Sequence, residues 1–148
     1  MSKLWQKEGT KTNPLVTSYI ISKELTQDKE LLKYDITSSI AHAEMLGEVG
    51  LITKKEAHAL IKTLEEIASM NSKGKFVIKQ ENEDCHTAIE NYLVKKLGDI
   101  GKKIHTGRSR NDQILVAVRL YCKDMLGETK KNLLELTKTI LKFAEKYE

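Results

Sequence analysis

From Asp112 to Tyr147 the chain runs for 36 residues without proline and with a single glycine, Gly127. Ile114, Val118, Tyr121, Met125, Thr129, Leu133, Leu136, Ile140, Phe143 and Tyr147 recur there at three- and four-residue steps. That spacing predicts one amphipathic helix. At 1.5 Å per residue it would be about 54 Å long. A compact globule of 148 residues has a diameter of only roughly 38 Å. The helix should therefore overhang its own domain, and its apolar stripe needs helices from other subunits or from further chain to cover it. The expectation is the front part of a larger helical protein.

The rest of the chain also reads as helical, with eight glycines and one proline in all. Pro14 sits in an irregular arm, Met1 to Val16, anchored by Trp5. Thr26 is a candidate helix cap, with Asp28 and Glu30 in the first turn, where the helix dipole favours negative charge. Leu32, Ile36, Ile40, Ala43 and Leu46 share one face, and Gly47 and Gly50 supply a stop. Thr53 and Glu56 form a capping-box pair ahead of Ala57, Leu60, Ile61, Leu64 and Ile67. The cluster 71–74 breaks that helix. Phe76-Val77-Ile78 is too short to assign and fits one extended segment. A third helix is predicted from about Cys85 to Leu97, closed by Gly98. No run alternates for long enough to build a sheet. The fold class is all-α: a small amino-terminal helical domain over 1–107, then the start of a helix-bundle domain over 108–148.

Composition narrows the function classes. Charged residues make up 31% and hydrophobic ones 40%, a globular balance that argues against disorder. No apolar run approaches the ~18 residues that would span a bilayer, and no secretory signal opens the chain. Cys85 and Cys122 lack metal or disulfide-scaffold spacing, which suits free thiols in the cytoplasm. Charge is uneven: residues 101–148 carry 11 basic and 6 acidic side chains, a net of +5, while the first hundred are near neutral. The basic excess suits an anionic partner or simply a solvated helix face.

Two polar knots could carry chemistry. Between Lys103 and Asp112 the only apolar side chain is Ile104, and the run feeds straight into the long helix. Free amides at a helix start attract anions, and Gly107 permits close backbone approach. Arg108 and Arg110 could each grip a carboxylate or phosphate through two parallel bonds, with Ser109 and Asn111 orienting it. An exposed polar turn is the plain alternative. A nucleic-acid strip is a further one, disfavoured because no aromatic residue interleaves the basic ones to stack on bases. The second knot is Glu81-Asn82-Glu83-Asp84-Cys85-His86. Its acidic residues suit a helix start, and His86 is expected beside a loop, off the apolar stripe. His42 and His58 read as ordinary helix residues.

The run Lys103-Ile104-His105-Thr106-Gly107-Arg108-Ser109-Arg110-Asn111-Asp112-Gln113 closely resembles the signature of the argininosuccinate lyase family. Lys3-Leu4-Trp5, Tyr34-Asp35-Ile36 with Ser39-Ile40-Ala41-His42-Ala43, Glu83-Asp84-Cys85-His86-Thr87 with Ile89-Glu90, and Leu97-Gly98-Asp99-Ile100-Gly101 resemble other family segments in order and spacing. The related fumarases and adenylosuccinate lyases differ in the signature. Two positions depart: Cys85 replaces the usual Ile or Val, and Glu24 stands where the family carries a substrate-contacting serine.

The resemblance implies elimination of fumarate from argininosuccinate, leaving arginine, with no metal or redox cofactor. It implies substrate-binding roles for His86, Ser109, Arg110 and Asn111, and supporting roles for Thr106, Arg108 and Asp112. It assigns no catalytic acid or base to this chain, because the family's Thr-His segment and flexible serine loop have no counterpart in it. It further implies a homotetramer as the working form, with no nucleic-acid or membrane partner. An inactive structural protein of the same fold, like the delta-crystallins, is the alternative within the family; a basic nucleic-acid-binding module is the alternative outside it.

Overall fold

The computed structural model describes residues 24–78, 82 and 84–147, apart from the side chains of 24–27. The Trp5 arm, the Glu24 side chain, Glu81 and Glu83 lie outside what is described. In chain order come α1 (Glu24–Glu48), α2 (Lys54–Ser72), α3 (Cys85–Leu97), a single turn α4 (Asp99–Lys102), a 3-10 turn (Lys103–His105) and α5 (Arg110–Tyr147). No strand occurs among the described residues. The architecture is all-α: a small helical domain followed by one long helix.

The core forms where three apolar stripes meet. Leu32, Ile36, Ala43 and Leu46 of α1 pack with Ala57, Leu60, Leu64 and Ile67 of α2. Cys85, Ala88, Ile89 and Leu93 of α3 close the third side, and Ile104 plugs the end from the 3-10 turn. Helix α1 is the hub, touching α2, α3 and the near end of α5. Between α1 and α2 the fit is close: a Cβ on Gly47 would sit 2.7 Å from the Cβ of Ala57. The predicted capping box is present, with the Glu56 amide donating to Thr53 Oγ1 and the Thr53 amide to Glu56 Oε2.

Gly98 ends α3 at φ 61°, a left-handed conformation that glycine adopts without steric cost. The chain then doubles back so tightly that a Cβ on Gly101 would meet the Leu93 carbonyl carbon at 2.5 Å. This reversal carries the polar run toward α1.

One expectation about the helices needs correction. Thr26 lies inside α1, which already runs from Glu24, so it is not the cap. Phe76-Val77-Ile78 lies outside the helices, as its shortness suggests, and Ile78 is buried with the core. Within the polar run, Lys103–His105 wind into a 3-10 turn that buries Ile104.

Helix α5 has 38 residues, about 57 Å of axis. Its first turns, about four of them, lie on α1, where Ala117 is fully buried and the Tyr34 and Tyr121 rings meet edge to face at 5.8 Å. The Tyr34 hydroxyl donates to Asp124 Oδ2 at 2.9 Å, the last tie between the two helices. From Cys122 to Tyr147 every residue is exposed.

Candidate functional site

The two polar knots meet at the start of α5, where Asp84 reaches Arg110, 26 residues further on. Asp84 caps α3, its Oδ1 accepting from the Thr87 amide at 2.8 Å. Its other oxygen pairs with Arg110 Nη1 at 3.2 Å, and Arg110 Nη2 donates to Thr87 Oγ1 at 2.8 Å. One carboxylate thus closes a helix end and orients a guanidinium, which keeps donors in reserve from its set of five. On the outer side, Ser109 and Asp112 cap α5 reciprocally. The Ser109 amide and hydroxyl both reach Asp112 Oδ2 at 2.8 Å, and the Asp112 amide returns to Ser109 Oγ. Those bonds from Ser109 pull the Asp112 pKa below its usual value. Asn111 is exposed beside them.

The inner side is anchored to α1. Arg108 Nη2 donates to Ser39 Oγ at 3.2 Å, and the Ser39 hydroxyl leans on Asp35 Oδ1 at 3.5 Å. His42 Nε2 donates to the Thr106 carbonyl at 3.0 Å, fixing the backbone just ahead of Gly107 at φ 68°. Burial, together with the Arg108 and His105 charges, lowers the His42 pKa, against the pull of that carbonyl. His105 pairs with Glu90 at 2.8 Å, an interaction that lowers the Glu90 pKa. Arg108 Nε and Gln113 Oε1 are buried without a hydrogen-bond partner, at the junction of the run with α5.

His86 is not where the sequence placed it. Instead of lying beside a loop it is buried, 5% exposed, with Nδ1 2.7 Å from Oδ2 of the fully buried Asp35. The reason is that α3 starts against α1, so the first-turn position turns inward. The sequence signals this pairing only through a carboxylate, Asp35, beside the apolar face of α1 with a hydroxyl, Ser39, four residues on. Likewise His42 acts on the loop and is no ordinary helix residue.

Asp35, Cys85 and His86 offer ligand atoms within 4.8 Å of one another, a grouping that sequence spacing does not reveal. Its chemistry suits hydrogen bonding more than metal capture. The imidazole nitrogen is already joined to the carboxylate, and burial, with the charges of Asp35, Asp28 and Asp84, pushes the Cys85 thiol pKa far up, keeping the sulfur protonated.

Arg110, Ser109 and Asn111 thus form a polar rim at a helix start, the kind of position where an anion can be held. Residues 10–148 match a sequence model of a lyase family. The chain belongs to this lyase family. An argininosuccinate lyase from Thermotoga neapolitana is 47% identical over 145 residues, covering 98% of this chain and 36% of that protein. Proteins of the same name from Xanthomonas euvesicatoria and Desulforudis audaxviator are each 42% identical. They cover 96% and 99% of this chain, and 33% and 32% of their own length. The chain thus spans about a third of the length of the curated relatives it matches. No described helix of it is long and apolar enough to cross a membrane.

Proposed function

We propose that this chain supplies the substrate-gripping part of an argininosuccinate lyase. In that reading residues 1–107 are an amino-terminal domain and 108–148 open a central helix bundle. The observation that carries it is Arg110, clamped by Asp84 and Thr87 beside His86 while Ser109 and Asn111 stand at the α5 start. In the elimination, a base removes a proton from the carbon next to a carboxylate of argininosuccinate. The electron pair builds up as an aci-carboxylate, then expels the guanidinium nitrogen, which is protonated as it leaves. Arginine and fumarate result.

Negative charge grows on carboxylate oxygens in this sequence, so preorganised donors aimed at them supply much of the acceleration. In this reading His86, Arg110 and Asn111 offer donors to those oxygens and Ser109 borders the substrate at the α5 start, while Thr106, Arg108 and Asp112 hold the rim. We assign no catalytic acid or base within 1–148, so the chain alone should not turn over. A homo-oligomer, in keeping with the bare stripe of α5, and the reducing cytoplasm, in keeping with free Cys85 and Cys122, complete the reading.

The experiment replaces the matching segment of the Thermotoga neapolitana relative with this chain and follows fumarate by its ultraviolet absorbance. Turnover of argininosuccinate by the substituted enzyme, and none by the isolated chain, is expected. A well-folded substituted enzyme without turnover would overturn the reading, and fumarate from the isolated chain would remove its incompleteness.

A further inference from the structure

We propose that Asp35 is the positioning residue for His86, fixing its ring so that Nδ1–H points at the carboxylate and Nε2 is the nitrogen left for substrate. This rests on the proposed lyase reading and adds a residue to it. Asp35 lies on α1, 51 positions before His86, and its side chain is fully buried. A carboxylate only accepts, so the 2.7 Å contact specifies the proton on Nδ1. Nε2 lies on the opposite side of the ring and has no hydrogen-bond partner among the described residues.

The carboxylate is itself braced. Ser39, one helical turn on, leans its hydroxyl on Oδ1 and accepts from Arg108 of the signature run. A chain of contacts therefore joins the polar run to the imidazole through α1: Arg108, Ser39, Asp35, His86. Movement of the run would be felt at the ring through packed groups, with no change needed in α3.

The groups acting on His86 favour its charged form. Burial alone would lower its pKa, but the Asp35 hydrogen bond and charge, with Asp84 and Asp28, outweigh that and raise it. From α1 the charged groups are Asp35 and Asp28; Asp84 precedes α3, Cys85 adjoins on α3, and Arg108 and Arg110 approach from the start of α5. An imidazolium held in this way presents Nε2–H as a donor to a substrate carboxylate, a bond that tightens as charge builds during elimination.

The test begins with nitrogen-15 histidine spectra of this 148-residue chain across pH. Expected are a protonated Nδ1 and a His86 midpoint above the ordinary 6.5. In Asp35→Asn, with helicity retained by circular dichroism, the midpoint should fall by roughly 1–3 pH units. An Nε2–H tautomer in the unmodified chain, or an unmoved midpoint in the variant, would overturn the proposal. If Asp35→Asn does not fold, the tautomer and midpoint of the unmodified chain decide. In the enzyme carrying this segment, Asp35→Asn should lower kcat/KM by roughly 10- to 150-fold. Exposed Thr37→Ala on the same helix should leave it unchanged. Expected spectra with undiminished kcat/KM would also overturn the proposal while leaving the lyase reading intact. An inactive parent enzyme would sink the lyase reading and, with it, any role for the ring in the reaction.

Discussion

Helices α1 and α5 are both long, amphipathic and free of proline, yet they end in opposite circumstances. Helix α1 is wrapped by α2, α3 and the near end of α5, and its stripe supplies Leu32, Ile36, Ala43 and Leu46 to the core. Helix α5 buries only Gln113 and Ala117, and its residues 122–147 are all exposed. Periodicity thus reports that a helix has an apolar side; it does not report what covers that side. The buried apolar packing of the described residues lies around α1, whereas the far half of α5 carries its apolar stripe exposed. Burial of such a stripe, more than intrinsic propensity, is what stabilises most helices.

The sharpest way to break the comparison is to damage the covered side. Leu64 is fully buried between α1 and α2. Leu64→Ala removes transfer energy and leaves a cavity, so a loss of ~2–5 kcal/mol is expected in chemical denaturation. A loss below about 1 kcal/mol would mean that the packed layer is not where stability resides.

The site lies at the seam between the two regimes, and there activity should respond where folding does not. In the enzyme carrying this segment, Asn111→Leu removes one acceptor and two donors while keeping similar bulk. Losing bonds to a charged group costs ~1.5–3 kcal/mol, so kcat/KM should fall by roughly 10- to 150-fold. Lys130→Leu, on the bare half, should leave it nearly intact. Equal losses in both variants, or an unfolded Asn111→Leu protein, would recast the run as structural.

How much of this could be read beforehand follows the same division. Local signals worked: Thr53 with Glu56 predicted a cap that forms, Gly98 a helix end, and the Asp112–Tyr147 repeat a helix running only two residues further back, to Arg110. The composition of the polar run showed that Arg108, Ser109, Arg110 and Asn111 stand together. What stayed hidden depends on pairings between distant segments. Asp35 sits 51 residues from His86, and His42 sits 64 from Thr106. Asp84 reads as a plain helix cap until the fold delivers Arg110 to it. No spacing rule encodes such partners; they exist because α3 and the run both close on α1.

A smaller effect concerns the entry to α2. Thr53→Ala removes the side-chain half of the capping box and should cost ~1 kcal/mol in denaturation. Its partner gives a pH signature. The Lys103 ammonium, with the Thr53 amide and hydroxyl, pulls the Glu56 carboxyl down to about 2 from 4.5. A depressed pKa contributes stability above the unfolded value that is lost as pH falls toward the folded one. In a pH series, Glu56→Gln should therefore narrow its difference from the unmodified chain between about pH 4.5 and pH 2. His86 works in the other direction. Its raised pKa contributes stability below 6.5 that is lost as pH rises through the folded value. A stability profile lacking both slopes would remove these two pairs from the account of the covered region.

The smallest expected effect on folding probes the bare side directly. Leu133 is 59% exposed, and Leu136, one turn on, is 55% exposed. In a lone chain Leu133→Ala removes no packing contact, and alanine is the better helix former, so stability should move by less than about 0.5 kcal/mol. The same substitution should weaken association if the stripe is a contact surface, because an apolar side chain would be lost from a helix–helix seam. Light scattering over a concentration series reads this, and so does the melting temperature, which rises with concentration only when folded chains bind one another. The unmodified chain should associate and Leu133→Ala should associate less, while Lys130→Leu, away from the repeat, should not reproduce the loss. A chain that stays monomeric at high concentration with α5 fully helical would break the comparison outright. The far half of α5 would then be a helix that stands without cover, and its stripe would need another explanation.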